Sequence, residues 1–589
     1  MKRLYTRWSR KVMENPDNVL QEYPRPMMVR DSYVNLNGKW DYAITDTKEK
    51  VKEYDGQILV PFSPESFLSG VDRQVQPNEY LWYRRYLPEE VKKEAGKRWL
   101  LHFGAVDQFA AVYLNGNLVC KHLGGYLPFS ADVTEYLKEE NELIVIVRDF
   151  SDRTYYSIGK QKLERGGMFY TAQSGIWQTV WMEQVPDKYI ESVKITPLYD
   201  EAKVEVIVKA DANCEVEIKV EAANEDEIEV EGRTNTPIII PVENVHSWSP
   251  EDPFLYDMTI EMSEDEVESY FAMRKISVSK DENGAAKVYL NNKPYFQHGL
   301  LDQGYWSDGL YTAPTDEALI FDIEEMKRLG FNMIRKHIKI EPQRWYYHCD
   351  RLGMLVWQDM VNGGRELKGW YVTILATVLS HLHIHPKDCT RRLLGRQDKA
   401  GREMFIKEMK ETISLLYNHP SIVTWVIFNE AWGQFDAKKV TAIAEKEDLT
   451  RLFDQASGWF DQGGGNFESI HEYFRPLKIK AKARDRVVAL TEYGGYAWHE
   501  SEHSMCENDY GYKTFHSREE LTEGVAKMVK RDVISNIKNG LCVTIYTQVS
   551  DVEEEVNGIY TYDREVLKFV EEELIKLNKS VIDEWNKFC

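Results

Sequence analysis

Two segments of this 589-residue chain end in a carboxylate placed where chemistry can be done. The first is Ser421-Ile-Val-Thr-Trp-Val-Ile-Phe-Asn-Glu430, a run of mostly β-branched and aromatic residues broken off by Asn429 and Glu430. The second, Arg486-Val-Val-Ala-Leu-Thr-Glu492-Tyr-Gly-Gly-Tyr, has the same build, and its glycines permit a sharp exit after the glutamate. Such runs read as strands buried on both faces, as in a parallel sheet. Barrels of the (β/α)8 type place their reactive groups at the C-terminal tips of such strands. Two strand-end carboxylates are the minimum equipment for hydrolysing a glycosidic bond. One must be protonated to assist the leaving oxygen and the other ionised to attack the anomeric carbon. About 5 Å between them disfavours joint ionisation and separates their pKa values.

The elements that must hold this pair follow a change of texture along the chain. From about residue 30 to 185, short alternating runs are separated by Gly, Asn, Asp and Pro, and Leu114-Asn-Gly-Asn117 reads as a tight hairpin turn between strands. An all-β sandwich is the natural assembly. From 186 to 278, acidic alternating runs such as Lys203-Val-Glu-Val-Ile-Val-Lys suit strands with one wet face, in a segment of immunoglobulin size. After 279 the pattern becomes helix and strand in alternation. Thr315 caps an apolar-periodic run that stops at Gly330; a strand over 332–337, a helix near 343–352 and a strand over 354–359 follow. This spacing predicts βα units and a parallel sheet, and residues 279–589 suffice for a (β/α)8 barrel. A doubly wound sheet is the competing assembly, but its usual Gly-rich phosphate turn is missing. The interval from Glu430 to Glu492 is short for three βα units but sufficient for them. Residues 365–405 are less legible. His381, His383 and His385 alternate as a strand-borne metal site would, without a completed ligand set, and a loop or helix over the barrel mouth is the reading preferred.

The wording of these segments is itself informative. Leu36-Asn-Gly-Lys-Trp40, Trp82-Tyr-Arg-Arg85, His122-Leu-Gly-Gly-Tyr-Leu-Pro-Phe129 and Ser174-Gly-Ile-Trp-Gln-Thr-Val-Trp181 resemble the jelly-roll sugar-binding domain that opens glycoside hydrolase family 2. Trp248-Ser-Pro-Glu-Asp-Pro-Phe-Leu-Tyr256 and Phe271-Ala-Met-Arg-Lys-Ile276 resemble the closing strands of its immunoglobulin-like domain. Asn418 to Glu430 resembles its acid/base strand, and Leu490-Thr-Glu-Tyr-Gly-Gly495 its nucleophile strand. The resemblance implies a jelly roll over 1–185, an immunoglobulin-like sandwich over 186–278 and a catalytic TIM barrel over 279–589. It implies Glu430 as acid/base and Glu492 as nucleophile of a retaining exo-β-glycosidase. It also places Asn429 on the hydroxyl next to the anomeric carbon, Tyr473 on the nucleophile, His471 beside it, and Arg335 and His337 near the nucleophile and the sugar. The family more often spaces that histidine one residue further on. Asp302 and Asp359 read as sugar-binding or as capping aspartates; Trp432 and Tyr546 read as stacking platforms or core aromatics.

The sugar is constrained by charge. β-Glucuronidases of the family carry an Asn-x-Lys motif after the eighth strand, where the lysine meets the substrate carboxylate. The matching stretch here is Glu553-Glu-Glu-Val-Asn-Gly558, without a lysine. Acidic groups there repel a uronic acid, so a neutral sugar, galactose first, is expected, with β-glucuronidase as the alternative. The large β-galactosidases bind magnesium through a histidine just after the acid/base strand. Glu430 is followed by Ala-Trp-Gly, so no metal or other cofactor is expected. A non-catalytic carbohydrate-binding protein on a hydrolase fold is the competing class, against which both intact glutamates count.

Composition limits the rest. The chain is long enough for three or four domains. Hydrophobic residues make up 43%, and the 12% aromatic content suits both sandwich cores and sugar faces. A net charge of -22 without a basic cluster argues against nucleic acid and anionic membranes as partners. Seven scattered cysteines without CxxC spacing read as free thiols. With no apolar stretch behind the N-terminal basic residues, a cytoplasmic protein is expected, acting on small carbohydrates; homo-oligomer formation stays open.

Overall fold

The computed structural model describes residues 2–221, 227–381, 384–481 and 484–588. The N-terminal part is a sandwich of a four-stranded and a six-stranded antiparallel sheet. Its core includes Trp40, Tyr83, Leu101, Val112, Val145 and Met182, all essentially without exposure. The Asn-Gly hairpin forms as its residue types require. Strands Phe109–Leu114 and Asn117–Leu123 pair across Asn115 and Gly116, both in the left-handed region at φ 53° and 81°. A second, smaller sandwich follows, in which Lys203–Lys209 and Glu215–Glu221 alternate buried Val and Ile with wetter charged residues.

The remaining chain builds an eight-stranded parallel barrel. Its strands are β1 (Gln297–Asp302), β2 (Met333–Lys336), β3 (Leu355–Asp359), β4 (Ile422–Val426), β5 (Leu452–Asp454), β6 (Phe467–Glu472), β7 (Val487–Gly494) and β8 (Leu541–Thr547). The ladder runs β5-β4-β3-β2-β1-β8-β7-β6, all parallel, which excludes a doubly wound order. The seam between β5 and β6 is closed by Asn466, whose N–H donates to the Phe453 carbonyl and whose side-chain oxygen accepts from the Phe453 N–H. Helix α1 (Asp316–Arg328) starts at Thr315, whose hydroxyl oxygen accepts from the Ala318 N–H, and helix α2 (Gln343–Leu352) ends at left-handed Gly353.

The short interval before Glu492 has a structural reason. One helix, α3 (Ala437–Glu447), separates β4 from β5; among the described residues no helix lies between β5 and β6 or between β6 and β7. Within 365–405, residues Trp370–Leu375 form a π-helical turn running into a short helix, Ala376–His381. The three-histidine reading lies largely outside the described residues, since it needs His383 and the side chain of His381. Six of the cysteines are free thiols. No helix among the described residues is long and apolar enough to cross a membrane.

Candidate active site

Every residue of β4 and of β7 is buried, which is why both runs are mostly apolar and why each polar group at their tips must find a partner. Beyond β4 the chain turns through Glu430 and Ala431, both left-handed at φ 47° and 62°. Non-glycine residues persist in that region only where the surroundings over-determine it. Here the Glu430 N–H donates to the Ser457 carbonyl at 3.0 Å and the Trp432 N–H to the Asn429 carbonyl at 2.9 Å. The turn aims Glu430 across the barrel mouth toward Glu492 on β7.

Between the two carboxylates lies the His471 ring, from the end of β6. Its Nδ1 is 2.8 Å from Glu430 Oε1 and 3.5 Å from Glu492 Oε2. An oxygen from each glutamate and a ring nitrogen all fall within 4.8 Å of one another. The other ring nitrogen is tied as well: Arg335, a donor only, gives Nη1–H to Ser457 Oγ at 2.9 Å, and His471 Nε2 lies 2.9 Å from the same oxygen. The ring is thus held at both nitrogens, Nδ1 on Glu430 Oε1 and Nε2 on Ser457. Gly458, at φ 84°, makes room: a Cβ there would meet the His471 ring at 2.6–2.9 Å.

Glu492 sits in a different environment. Its Oε2 accepts from the Tyr473 hydroxyl at 2.6 Å and its Oε1 from Arg335 Nη1 at 3.3 Å. Tyr473 is itself fixed by Tyr512, stacked on it at 4.0 Å and 14°. Arg335 is completely buried, forked onto Asp359 at 2.9 and 3.0 Å, and donates to Asn429 Oδ1 at 2.9 Å. That last bond fixes Asn429, because only its oxygen can face a guanidinium. Its amide Nδ2 is left buried without a partner, a donor available to a ligand hydroxyl.

These surroundings drive the two carboxyls apart. Burial, and then the nearby Glu492 charge, raise Glu430 above the ordinary carboxyl value, so it holds a proton more readily. Burial also works to raise Glu492. The fields of His471, Arg335 and His337, with the Tyr473 hydrogen bond, outweigh it and leave Glu492 below the ordinary value. His337 Nδ1 lies 2.8 Å from Asp359 Oδ2; burial, then the Lys160 charge, hold it well below the usual histidine range.

The other residues expected from sequence fall in two groups. Asn429, His471, Tyr473, Arg335, His337 and Asp359 join Glu430 and Glu492 in one connected network. Asp302 does not. Its oxygens are engaged by the Lys336 ammonium and the Gly304 N–H, in a buried cluster that includes Glu341. Trp432 lines a cavity of about 700 Å³ with Phe169, which stacks on it at 5.4 Å and 24°, and with residues 362–369 and Arg392. Arg396 buttresses the same turn through the Gly433 carbonyl, so part of the 365–405 segment does border the mouth. Tyr546 packs edge-on against Tyr493 at 5.6 Å and 82°, beside Gly494. Ser457, Tyr512, Phe169 and Lys160 were not found by sequence reasoning. Ser457 alone carried a weak signal, lying just after the short β5.

Three family models match the chain: glycosyl hydrolases family 2, sugar binding domain, over residues 69–186; the family 2 domain over 188–274; and its TIM barrel domain over 283–474. The chain belongs to glycosyl hydrolase family 2. It is 24% identical over 440 residues to a β-galactosidase of Thermoanaerobacter pseudethanolicus, covering 71% of this chain and 54% of that relative. It is also 24% identical over 528 residues to a β-glucuronidase of Streptococcus agalactiae, covering 80% and 84%. The chain thus spans about half the length of the first relative, 54%, and most of the second, 84%. Among solved structures, a Ruminococcus gnavus β-glucuronidase superposes with a TM-score of 0.73 over 96% of this chain and all of that one, at 18% identity. A family 2 β-galacturonidase from Eisenbergiella tayi superposes with a TM-score of 0.70 at 17% identity, covering 96% and 99%. The last two likenesses establish the fold that family 2 members share.

Proposed function

We propose that this family 2 member is a retaining, exo-acting β-glycosidase that works by double displacement. The observation that carries the reading is the closeness of Glu430 and Glu492, one oxygen of each lying within 4.8 Å of one of the other. Retaining enzymes hold their carboxyls about 5–5.5 Å apart, whereas inverting ones need about 6.5–9.5 Å to admit a water. Ionised Glu492 attacks the anomeric carbon while Glu430 protonates the departing glycosidic oxygen, giving a glycosyl ester on Glu492. Glu430, now a carboxylate, removes a proton from water as that water attacks the anomeric carbon and breaks its bond to Glu492, and both groups return to their starting states. Asn429 Nδ2 is the donor for the neighbouring sugar hydroxyl, in a position set by Arg335. The same three groups that include His471 are near enough to hold a metal ion; no step here requires one.

Incubation with a 2-deoxy-2-fluoro glycoside bearing a good leaving group tests the assignment. One sugar mass is expected on the peptide containing Glu492, and NMR of an ordinary substrate should show the product first in the β configuration. Label on Glu430, or inverted product, would overturn it.

Galactoside was the sugar expected from sequence, because residues 551–555 looked like an acidic lining. Those carboxylates are occupied: Glu553 by Arg165 at 2.9 Å, Glu554 by the Gly167 N–H at 2.8 Å, Glu555 by the Tyr170 hydroxyl, and Asp551 by Lys568 at 2.7 and 2.9 Å. Glu553 and Asp551 are thus neutralised by cations, while Glu554 and Glu555 are held by neutral donors, which weakens the case for an acidic lining and leaves the cations of the site to weigh between galactoside and glucuronide.

A further inference from the structure

Most cations around the barrel mouth are spent on protein groups. Arg335 serves Asp359, Glu492 and Asn429; Lys336 and Lys339 converge on Glu341 at 2.8 Å, with Asp302 as a further partner of Lys336. Lys160 is different. It comes from the N-terminal sandwich's extension over the mouth, is only 7% exposed, and has no ion pair or hydrogen bond from its ammonium among the described residues.

Its place in the site is fixed by its neighbours. The ammonium lies 5.7 Å from the ring centres of both Tyr170 and Trp432, and Trp432 is two residues beyond Glu430. The preceding Gly159 packs so closely on β2's exit that a Cβ there would be 3.1 Å from the carbonyl of Ile338, the residue after His337. The Lys160 charge acts on both sides of the cleft, contributing to the lowering of His337 and opposing the rise of Glu430. Two aromatic faces at this range are weak partners for an ammonium. A buried charge without a counter-ion is costly, and such groups are normally paired.

We infer that Lys160 is a substrate-binding residue that receives an anionic substituent, so the site takes a glycoside bearing a carboxylate or sulfate. This rests on the glycosidase reading above. The anion can belong to the terminal sugar or to the residue it leaves behind, since Lys160 stands beside the acid/base turn, and its chain neighbours Gly159 and Gln161 line the cavity that Trp432 and Phe169 also line. The N-terminal domain then sets specificity while the barrel supplies the chemistry.

The test compares the full-length protein with Lys160→Met, which keeps length and loses charge, and Lys160→Arg, which keeps charge. One arm sets nitrophenyl β-glucuronide and β-galacturonide against nitrophenyl β-glucoside and β-galactoside. The other sets neutral sugars linked to a uronic acid or a sulfated sugar against the same sugars linked to glucose. In one arm the wild type should prefer the acidic member in kcat/KM. Lys160→Met should lose roughly 10- to 100-fold more on that member than on its neutral counterpart, the scale of a charged hydrogen bond, and Lys160→Arg should keep most of the preference. The responding arm locates the anion. Equal losses on acidic and neutral members, or a wild-type preference for neutral members in both arms, would overturn the role of Lys160 and leave the glycosidase reading intact. Failure to cleave any of these glycosides or to form the fluorosugar adduct would overturn the glycosidase reading, and the Lys160 role with it.

Discussion

Glu430 and Glu492 are chemically identical side chains, and what separates them is which neighbours each one keeps. In the proposed double displacement Glu492 must be ionised to attack, so activity is expected to fall as pH drops through its lowered value. Glu430 must there be protonated to assist departure, so activity is expected to fall as pH rises through its raised value. A bell-shaped kcat/KM profile is expected, its limbs lying on either side of the ordinary carboxyl value of 4.5. In Glu430→Gln the alkaline limb should vanish, and substrates with poor leaving groups should slow by about 10²–10⁴-fold while activated aryl glycosides slow far less. An alkaline limb that survives the substitution would remove Glu430 from the acid role. These two glutamates and Asn429 were legible because an apolar strand that ends in polar residues advertises its tip. Ser457 and Tyr512 were not. Each acts through one hydrogen bond or one ring contact made by chain distant in sequence, and neither residue type is unusual where it stands.

At the level of elements, legibility followed burial. Strands β4 and β7 are buried at every residue and could be read from composition alone. The three-residue β5 and the half-buried β6, whose pattern mixes Phe, Glu, Ser and His, gave no comparable signal. Helices cannot be counted between strands that connect by loops, which is why the interval before Glu492 looked short. The turn after β5 is where this economy meets chemistry, because Gly458 lies against the His471 ring. Gly458→Ala is expected to push that ring aside. A left-handed alanine and a sub-3 Å contact together should destabilise by about 1–3 kcal/mol, and kcat should fall at least roughly 10-fold as the link between Glu430 and Ser457 is broken. A variant with unchanged kcat and an unchanged alkaline limb would show that His471 does not depend on this turn.

On the scale of the whole molecule, the site belongs to two domains. Residues 159–171 of the N-terminal part descend on the turn after β8, where Arg165 meets Glu553, the Thr171 and Gly167 N–H groups meet Glu553 and Glu554, and the Tyr170 hydroxyl meets Glu555. Sequence showed the acidic run but not its partners, because ion pairs that join residues 388 positions apart leave no local trace. The run is therefore an interface between domains. Glu553 has a side chain only 2% exposed and Arg165 one 20% exposed, so each is costly to leave alone. Arg165→Met and Glu553→Gln should each destabilise, and the double variant should destabilise by less than their sum, with a coupling of about 1–3 kcal/mol in urea unfolding. The same cycle should be non-additive in kcat/KM, since releasing residues 159–171 also displaces Lys160. Additive effects on stability would mean that the sandwich and the barrel meet here without holding each other. Coupled stability with additive kcat/KM would mean that the contact fastens the domains and leaves the substrate pocket unaffected.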